Sequence, residues 1–165
     1  ECRKSTRVRK GFCIKTVVDI VVITLTSPLH VGIYENNQLI RTFETAEQTS
    51  EVLPILFEEI LKAYQPKRLF FARGPGSFMA IKITYIFLKT LSVALRIPLL
   101  ACDGFVFNEG KPIRAMRNLY FIKKEQEITT VRLETPIEQH FALPRVLDER
   151  LFNDEIEPLY MLPAV

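Results

Sequence analysis

A chain of 165 residues, 48% hydrophobic and 25% charged, has the length for one well-filled core, or a core with a small appendage, and the composition of an ordinary globular protein. The net charge of +3 is unevenly spread: residues 1–15 hold Arg3, Lys4, Arg7, Arg9, Lys10 and Lys15 against Glu1, leaving 16 basic and 18 acidic residues for a nearly neutral body. Cys2, Cys13 and Cys102 form neither a zinc-type pair nor an even disulfide framework, which fits a reducing cytoplasm.

The basic stretch over 1–16 lacks apolar periodicity and reads as a peripheral arm, the only part from which the pI would argue for nucleic acid. Residues 17–25 are apolar and mostly β-branched, which predicts a central strand. The run is too short to cross a bilayer, contains Asp19 and is followed by no small-residue cleavage site, so neither a membrane span nor a signal peptide is expected. Pro28 marks a turn. Strands over 31–35 and 38–43 then pair across Asn36-Asn37, residues that tolerate positive φ. Ser50 is placed to cap a helix running to about Tyr64, with Pro54 in its early turns and Val52, Leu56, Ile60 and Ala63 at helical spacing.

A buried strand over 68–72 follows, then the turn Arg73-Gly74-Pro75-Gly76-Ser77-Phe78, then a long helix over 77–96 that Pro98 stops, then a strand over 99–102. Three hairpin-connected strands extended by parallel βα units predict an α/β fold: a ribonuclease H-like or actin-like (ASKHA) core with a mixed sheet flanked by helices, over 17–103. Beyond Asp103, strands are expected over 118–124 and 128–134, while Pro136, Pro144, Pro158 and Pro163 break up the rest. Residues 104–165 read as a reduced second lobe or tail.

A glycine turn between strand and helix lets the backbone approach another group closely, and at a helix N-terminus it suits an anion; equally, Ser77 can simply cap the helix. Arg73, Gly74, Gly76 and Ser77 are therefore loop candidates. The spacing is not that of a P-loop, and Ser77, between Pro75 and Met79, is not a nucleophile elbow.

In the long helix, Lys82, Lys89 and Arg96 recur every seven residues as a cationic stripe. Ala80, Ile81, Phe87, Leu88, Leu91, Ala94 and Leu95 form a broad face for a sheet to cover, yet Phe78, Tyr85, Ile86 and Val93 flank the stripe. Phe57, Leu61 and Tyr64 widen the apolar arc of the preceding helix in the same way. Either the C-terminal segment covers these residues or two neighbouring helices make a partner surface of Phe57, Leu61, Lys82, Tyr85, Ile86, Lys89 and Val93.

No catalytic or metal-binding residue is expected. His30 and His140 are too far apart in sequence for a His-x-x-x-His helix face, Asp19 reads as a strand-edge or loop residue, and Cys102 as a small core residue. Asp148, Glu149, Asp154, Glu155 and Glu157 read as a solvated face.

Residues 73–78 match the centre of the loop Gly-Arg-Gly-Pro-Gly-Ser-Phe-Thr-Gly of the bacterial TsaB (YeaZ) family, relatives of the TsaD/Kae1 ATPases once classed as M22 glycoproteases. Ala72 replaces the glycine before the arginine, and Met79 and Ala80 replace Thr-Gly. Residues 48–54 are similar to that family's His-Ser-Glu-x-Leu-Leu-Pro helix start, with Gln48 where it has histidine. Ile97-Pro98-Leu99, residues 115–120 and Pro158-Leu159-Tyr160 also resemble its pattern. Where the family starts its first strand with Ile-Asp-Thr, the carboxylate position here is Ile23, followed by Thr24.

The resemblance implies a cytoplasmic, non-catalytic scaffold that works with TsaD, TsaE and the threonylcarbamoyl-AMP synthase TsaC to place threonylcarbamoyl on the tRNA adenosine beside the anticodon (t6A synthesis). It implies binding of TsaD, or of a second copy as a homodimer, through the two helices, with tRNA met only through the complex. No cofactor of its own is implied, ATP or ADP belonging to the complex with TsaD and TsaE. The alternatives are a glycoprotease-like peptidase, an actin-like ATPase, or direct tRNA binding by the basic arm.

Overall fold

The computed structural model describes residues 6–9 and 12–159, with side chains from residue 15 onward. Glu1, Cys2, Arg3, Lys4 and Lys10 of the arm, and Tyr160 and Pro163 at the other end, lie outside the described residues, as do the side chains of Arg7, Arg9 and Cys13.

Among the described residues six strands make the main sheet: β1 (Thr6–Arg9), β2 (Phe12–Ile23), β3 (Leu29–Glu35), β4 (Gln38–Thr45), β5 (Tyr64–Ala72) and β6 (Leu99–Cys102). The order is β4-β3-β2-β5-β6, with β1 antiparallel to the start of β2. β2 pairs antiparallel with β3 and parallel with β5, and β5 pairs parallel with β6, which is the predicted mixed sheet. As the central strand, β2 is covered on both faces; Val18, Ile20, Val21, Val22 and Ile23 are all buried, which is why its sequence is a continuous apolar run without alternation.

β2 begins at Phe12, earlier than the predicted 17, and residues 12–15 pair with β1. Part of the expected peripheral arm is thus a hairpin. Main-chain pairing of that kind needs no apolar face, so the basic side chains concealed it.

Two helices cover one face of the sheet. α1 (Thr49–Ala63) buries Val52, Leu53, Phe57, Ile60 and Ala63, with Leu56 half-buried. Its first-turn cap position is Gln48, not Ser50, and no side chain caps it. α2 (Phe78–Leu95) follows the predicted bounds and ends at Arg96 in the left-handed region, φ 57°, whose N–H donates to the Ser92 carbonyl. Phe57 and Phe87 meet edge to face with centroids 5.2 Å apart and lock the helices together.

Residues 104–159 cover the opposite face. They comprise a 3-10 turn (Gly104–Phe107), an antiparallel sheet of β7 (Ile113–Met116), β8 (Leu119–Lys124) and β9 (Glu127–Arg132), a second 3-10 turn (Glu149–Leu151) and irregular chain between. Phe105, Phe107, Ile113, Phe121, Phe141 and Phe152 pack there with Val21, Ile23 and Phe70. Each such side chain, when fully buried, contributes about 2–3 kcal/mol, so this segment, which supplies about half of the core on that face, is no loosely attached tail. Main-chain bonds from Leu39 N–H to Arg145 O and from Leu147 N–H to Asn37 O, each under 3 Å, tie it to the β3–β4 hairpin.

Candidate functional site

The glycine turn lies where β5, the β2–β3 connection, the end of β6 and the last described residues converge. A Cβ on Gly76 would stand 2.8 Å from Leu25 Cβ and 2.9 Å from Leu25 O, and Gly74 has φ +124° with Leu159 O against it, so both positions require glycine. Ser77 N–H donates to Leu25 O and Arg73 N–H to Cys102 O, both at 2.9 Å, while Leu159 N–H donates to Arg73 O at 2.8 Å. The Arg73 guanidinium donates to Glu157 O at 2.9 Å and meets Glu155 at 3.4 Å. The amides of Arg73 and Ser77 are thus spent on the chain's own carbonyls. Of the two readings of this turn, close backbone approach is what the geometry displays; Ser77 occupies the cap position of α2 without a side-chain cap bond. Beside it, a cleft of about 330 Å³ separates the N-terminal ends of α1 and α2, and Thr24, Thr26, Ser27, Thr49, Ser50 and Ser77 are among the residues that line it.

The helix layer is more exposed than its composition suggests. α2 is long and apolar enough to cross a membrane, with mean hydropathy 1.6, yet only Ile81, Thr84 and Leu88 are buried. Phe87 and Leu91, expected against the sheet, are half-buried beside α1, and Ala94 and Leu95 are exposed. Outward stand Met79, Ile86 and Val93, together with Lys82 and Lys89. Of the predicted partner surface, Phe57 is a correction: at 1% exposure it is core, held between the sheet and Phe87, and is out of a partner's reach. Tyr85 is half-buried with its ring 6.4 Å from that of Phe71, and Leu61 is half-buried. Ile86, Val93, Lys82 and Lys89 remain as one exposed strip.

Asp19 is a second correction. It sits inside β2, fully buried, and accepts two hydrogen bonds at 2.8 Å from Arg68 of β5. Arg68 in turn reaches Glu149 at 2.7 Å. The paired carboxylates hold the guanidinium charged, well above its ordinary range. The acids read as a solvated face are therefore only partly so: Glu149 holds Arg68 and Glu155 meets Arg73, whereas Asp148 caps its own 3-10 turn through the Arg150 N–H and pairs with the Arg150 side chain. At the end of β2 toward the glycine turn, Ile23 is buried and the Thr24 hydroxyl is 2.7 Å from that of Thr84 in α2.

The two histidines, separated in sequence, share a pocket of about 310 Å³ with Glu44, Thr42 and Gln139. His30 Nε2 lies 3.5 Å from Glu44, and its buried Nδ1 has no hydrogen-bond partner among the described residues. Burial, reinforced by His140 and opposed by Glu44, lowers its pKa. Among the described residues no group of three or more His, Cys, Asp or Glu is placed to hold a metal ion. Cys102 is buried at the end of β6, where burial pushes its thiol far up, so it is not a ready nucleophile.

No family model and no curated protein matches the sequence. Solved structures do match. An uncharacterized protein with similarity to peptidase YeaZ from Pseudomonas aeruginosa superposes with a TM-score of 0.57 at 15% identity, covering 74% of this chain and 71% of that one. YeaZ from Pseudomonas aeruginosa superposes with a TM-score of 0.55 at 16% identity, covering 74% and 72%. The chain has the YeaZ fold. The predicted α/β architecture is thereby shared with structures of the YeaZ type. At such low identity the likeness is one of backbone, and the YeaZ fold leaves the junction and helix layer to be read from their own surroundings.

Proposed function

We propose that this chain is a non-catalytic subunit of the TsaB (YeaZ) type that supports a TsaD-type subunit in the threonylcarbamoylation of tRNA adenosine in the cytoplasm, with TsaE joining the same assembly. The observation that carries the reading is α2, whose outward row of Met79, Ile86 and Val93 is exposed on an otherwise apolar helix. A helix so apolar gains most of its stabilisation by burial, and only three of its residues are buried in this chain. The YeaZ fold and the loop resemblance over residues 73–78 support the same assignment. Nucleotide and tRNA enter through the complex, not through a site of this chain.

Co-expression with a TsaD-type subunit, followed by the mass of the purified assembly, tests the proposal. A one-to-one complex is expected, and Ile86→Glu is expected to weaken it by a few kcal/mol while leaving the isolated chain folded. Failure of the unaltered chain to form the complex overturns the reading. The peptidase likeness attached to one structural neighbour favours an enzyme instead. Peptide or ATP hydrolysis by the chain alone, abolished by a single substitution in it, would establish that alternative.

A further inference from the structure

We propose that a second cleft, where the ends of β5 and β6 face the β8–β9 hairpin and the closing segment, binds a small zwitterion of amino-acid to dipeptide size. Such a site is independent of the scaffold reading. The cleft has a volume of about 690 Å³, within the range of small-molecule sites. It lies at the carboxyl ends of two parallel strands, the place where open α/β sheets hold their ligands: Arg73 directly follows β5 and Asp103 directly follows β6.

The charged side chains lining it balance, Arg73, Lys123 and Arg150 against Asp103, Glu127 and Glu155. Two of the cations are matched within the chain. Lys123 holds Asp103, whose other oxygen accepts from the Phe105 N–H at 3.0 Å, and Arg150 pairs with Asp148. Arg73 is left short. Its side chain is only 19% exposed, the neutral carbonyl of Glu157 takes one end of the guanidinium, and the exposed Glu155 carboxylate stands off at 3.4 Å. Glu127 is the anion left over: among the described residues no cation pairs with it, not even Lys124, which stands opposite it in register. A guanidinium and a carboxylate short of partners in one cleft suit a ligand that brings both signs of charge.

The hairpin tip supplies a separate sign. Glu125 and Gln126 have φ of 48° and 71°, a left-handed conformation that favours Asn or Gly, and Gln126 lines the cleft. Backbone strain of this kind collects where a loop is shaped for a ligand. The bond from Lys123 to Asp103 ties β8 to the end of β6, so both walls are held in place without one. Other occupants fit less well. An inorganic anion or a phosphate chain would satisfy Arg73 but meet Glu127 and Glu155 in the same space. For a metal ion, Asp103 and Glu155 are already engaged with Lys123 and Arg73, and no group of three ligating side chains stands together among the described residues.

The test titrates the full chain with L-alanyl-L-alanine, its N-acetyl form and its C-terminal amide, three molecules that differ chiefly in their end charges, followed by the amide resonances of Asp103, Lys123 and Gln126. The parent dipeptide is expected to bind at least about tenfold more tightly than either capped form. Glu127→Gln, at an exposed strand end, is expected to lower the affinity for the parent to that of the N-acetyl form and to leave the N-acetyl form unaffected. L-alanine, run beside them, separates the two sources of this chemistry: tighter binding than the dipeptide assigns a free amino acid, weaker binding a peptide. Equal affinity for the parent and the capped forms overturns the inference. So does the absence of any shift at millimolar concentration of every probe, or a preference for the parent that survives Glu127→Gln. None of these results bears on assembly with a TsaD-type subunit, so the two readings fail separately.

Discussion

At the scale of single residues, the Asp19–Arg68 pair is the contact that sequence inspection missed. An aspartate inside a β-branched run invites placement at a strand edge, because an unpaired buried carboxylate is too costly to keep. Its partner lies 49 positions away on β5, and nothing local announces it. The informative sign was that Arg68 also opens an apolar run, so two ionised groups stood on strands expected to be neighbours. Asp19→Asn keeps the shape but leaves the half-buried guanidinium with only the exposed Glu149 as a charge partner. It is expected to cost about 3 kcal/mol in urea unfolding, and Asp19→Leu with Arg68→Met to recover much of the loss.

His30 makes a pH-dependent counterpart. Burial and His140 disfavour its protonated form in the folded chain, while Glu44 opposes them. The folded pKa therefore lies below the ordinary value near 6.5, and below that pH the unfolded chain takes up more protons. The His30 contribution is complete above the unfolded pKa and is lost as pH falls through the folded one. Denaturant midpoints measured from pH 7 to pH 4.5 should fall less steeply for His30→Gln than for the unaltered chain.

At the scale of elements, spacing located both helices to within a residue or two, and the apolar runs located the middles of the central strands. β1 and β7 went unseen, and β2 and β5 start at Phe12 and Tyr64, ahead of the expected 17 and 68. What spacing could not supply was how wide a stripe each helix buries. α2 offers apolar residues on nearly every side, so the choice between Leu88 inward and Ile86 outward is made by the sheet and by α1, through contacts such as Phe57 on Phe87. Even Thr84 is drawn inward, because Thr24 supplies its hydroxyl with a partner. The contrast is measurable in the isolated chain. Leu88→Glu should destabilise it by several kcal/mol, whereas Ile86→Glu should stay within about 0.5 kcal/mol. At the end of the same helix, Arg96→Gly relieves a left-handed residue of its Cβ and should raise the melting temperature by the equivalent of about 1 kcal/mol.

At the scale of the whole molecule, the least legible part was everything after Asp103. Its aromatic residues are plain in sequence, but they pack across long separations onto Val21, Ile23 and Phe70, and irregular chain carries no period to read. The glycine turn was legible as a close-approach site, though not what approaches it: Leu25 on one side and Leu159 on the other. Arg73 is the link between that turn and the closing segment. Arg73→Ala removes the bond to Glu157 O and the pairing with Glu155, and should lower hydrogen-exchange protection over residues 153–159 more than in the central sheet, with a global loss of about 1–2 kcal/mol.

The bond from Leu159 to Arg73 also bears on the order of events during synthesis. The sheet strands and both helices leave the ribosome well before the residues that complete the glycine turn, so a nascent chain halted before residue 159 would hold Gly74 and Arg73 without their final neighbours. Quality control at translation would therefore meet this turn unfinished until nearly all of the described chain had emerged.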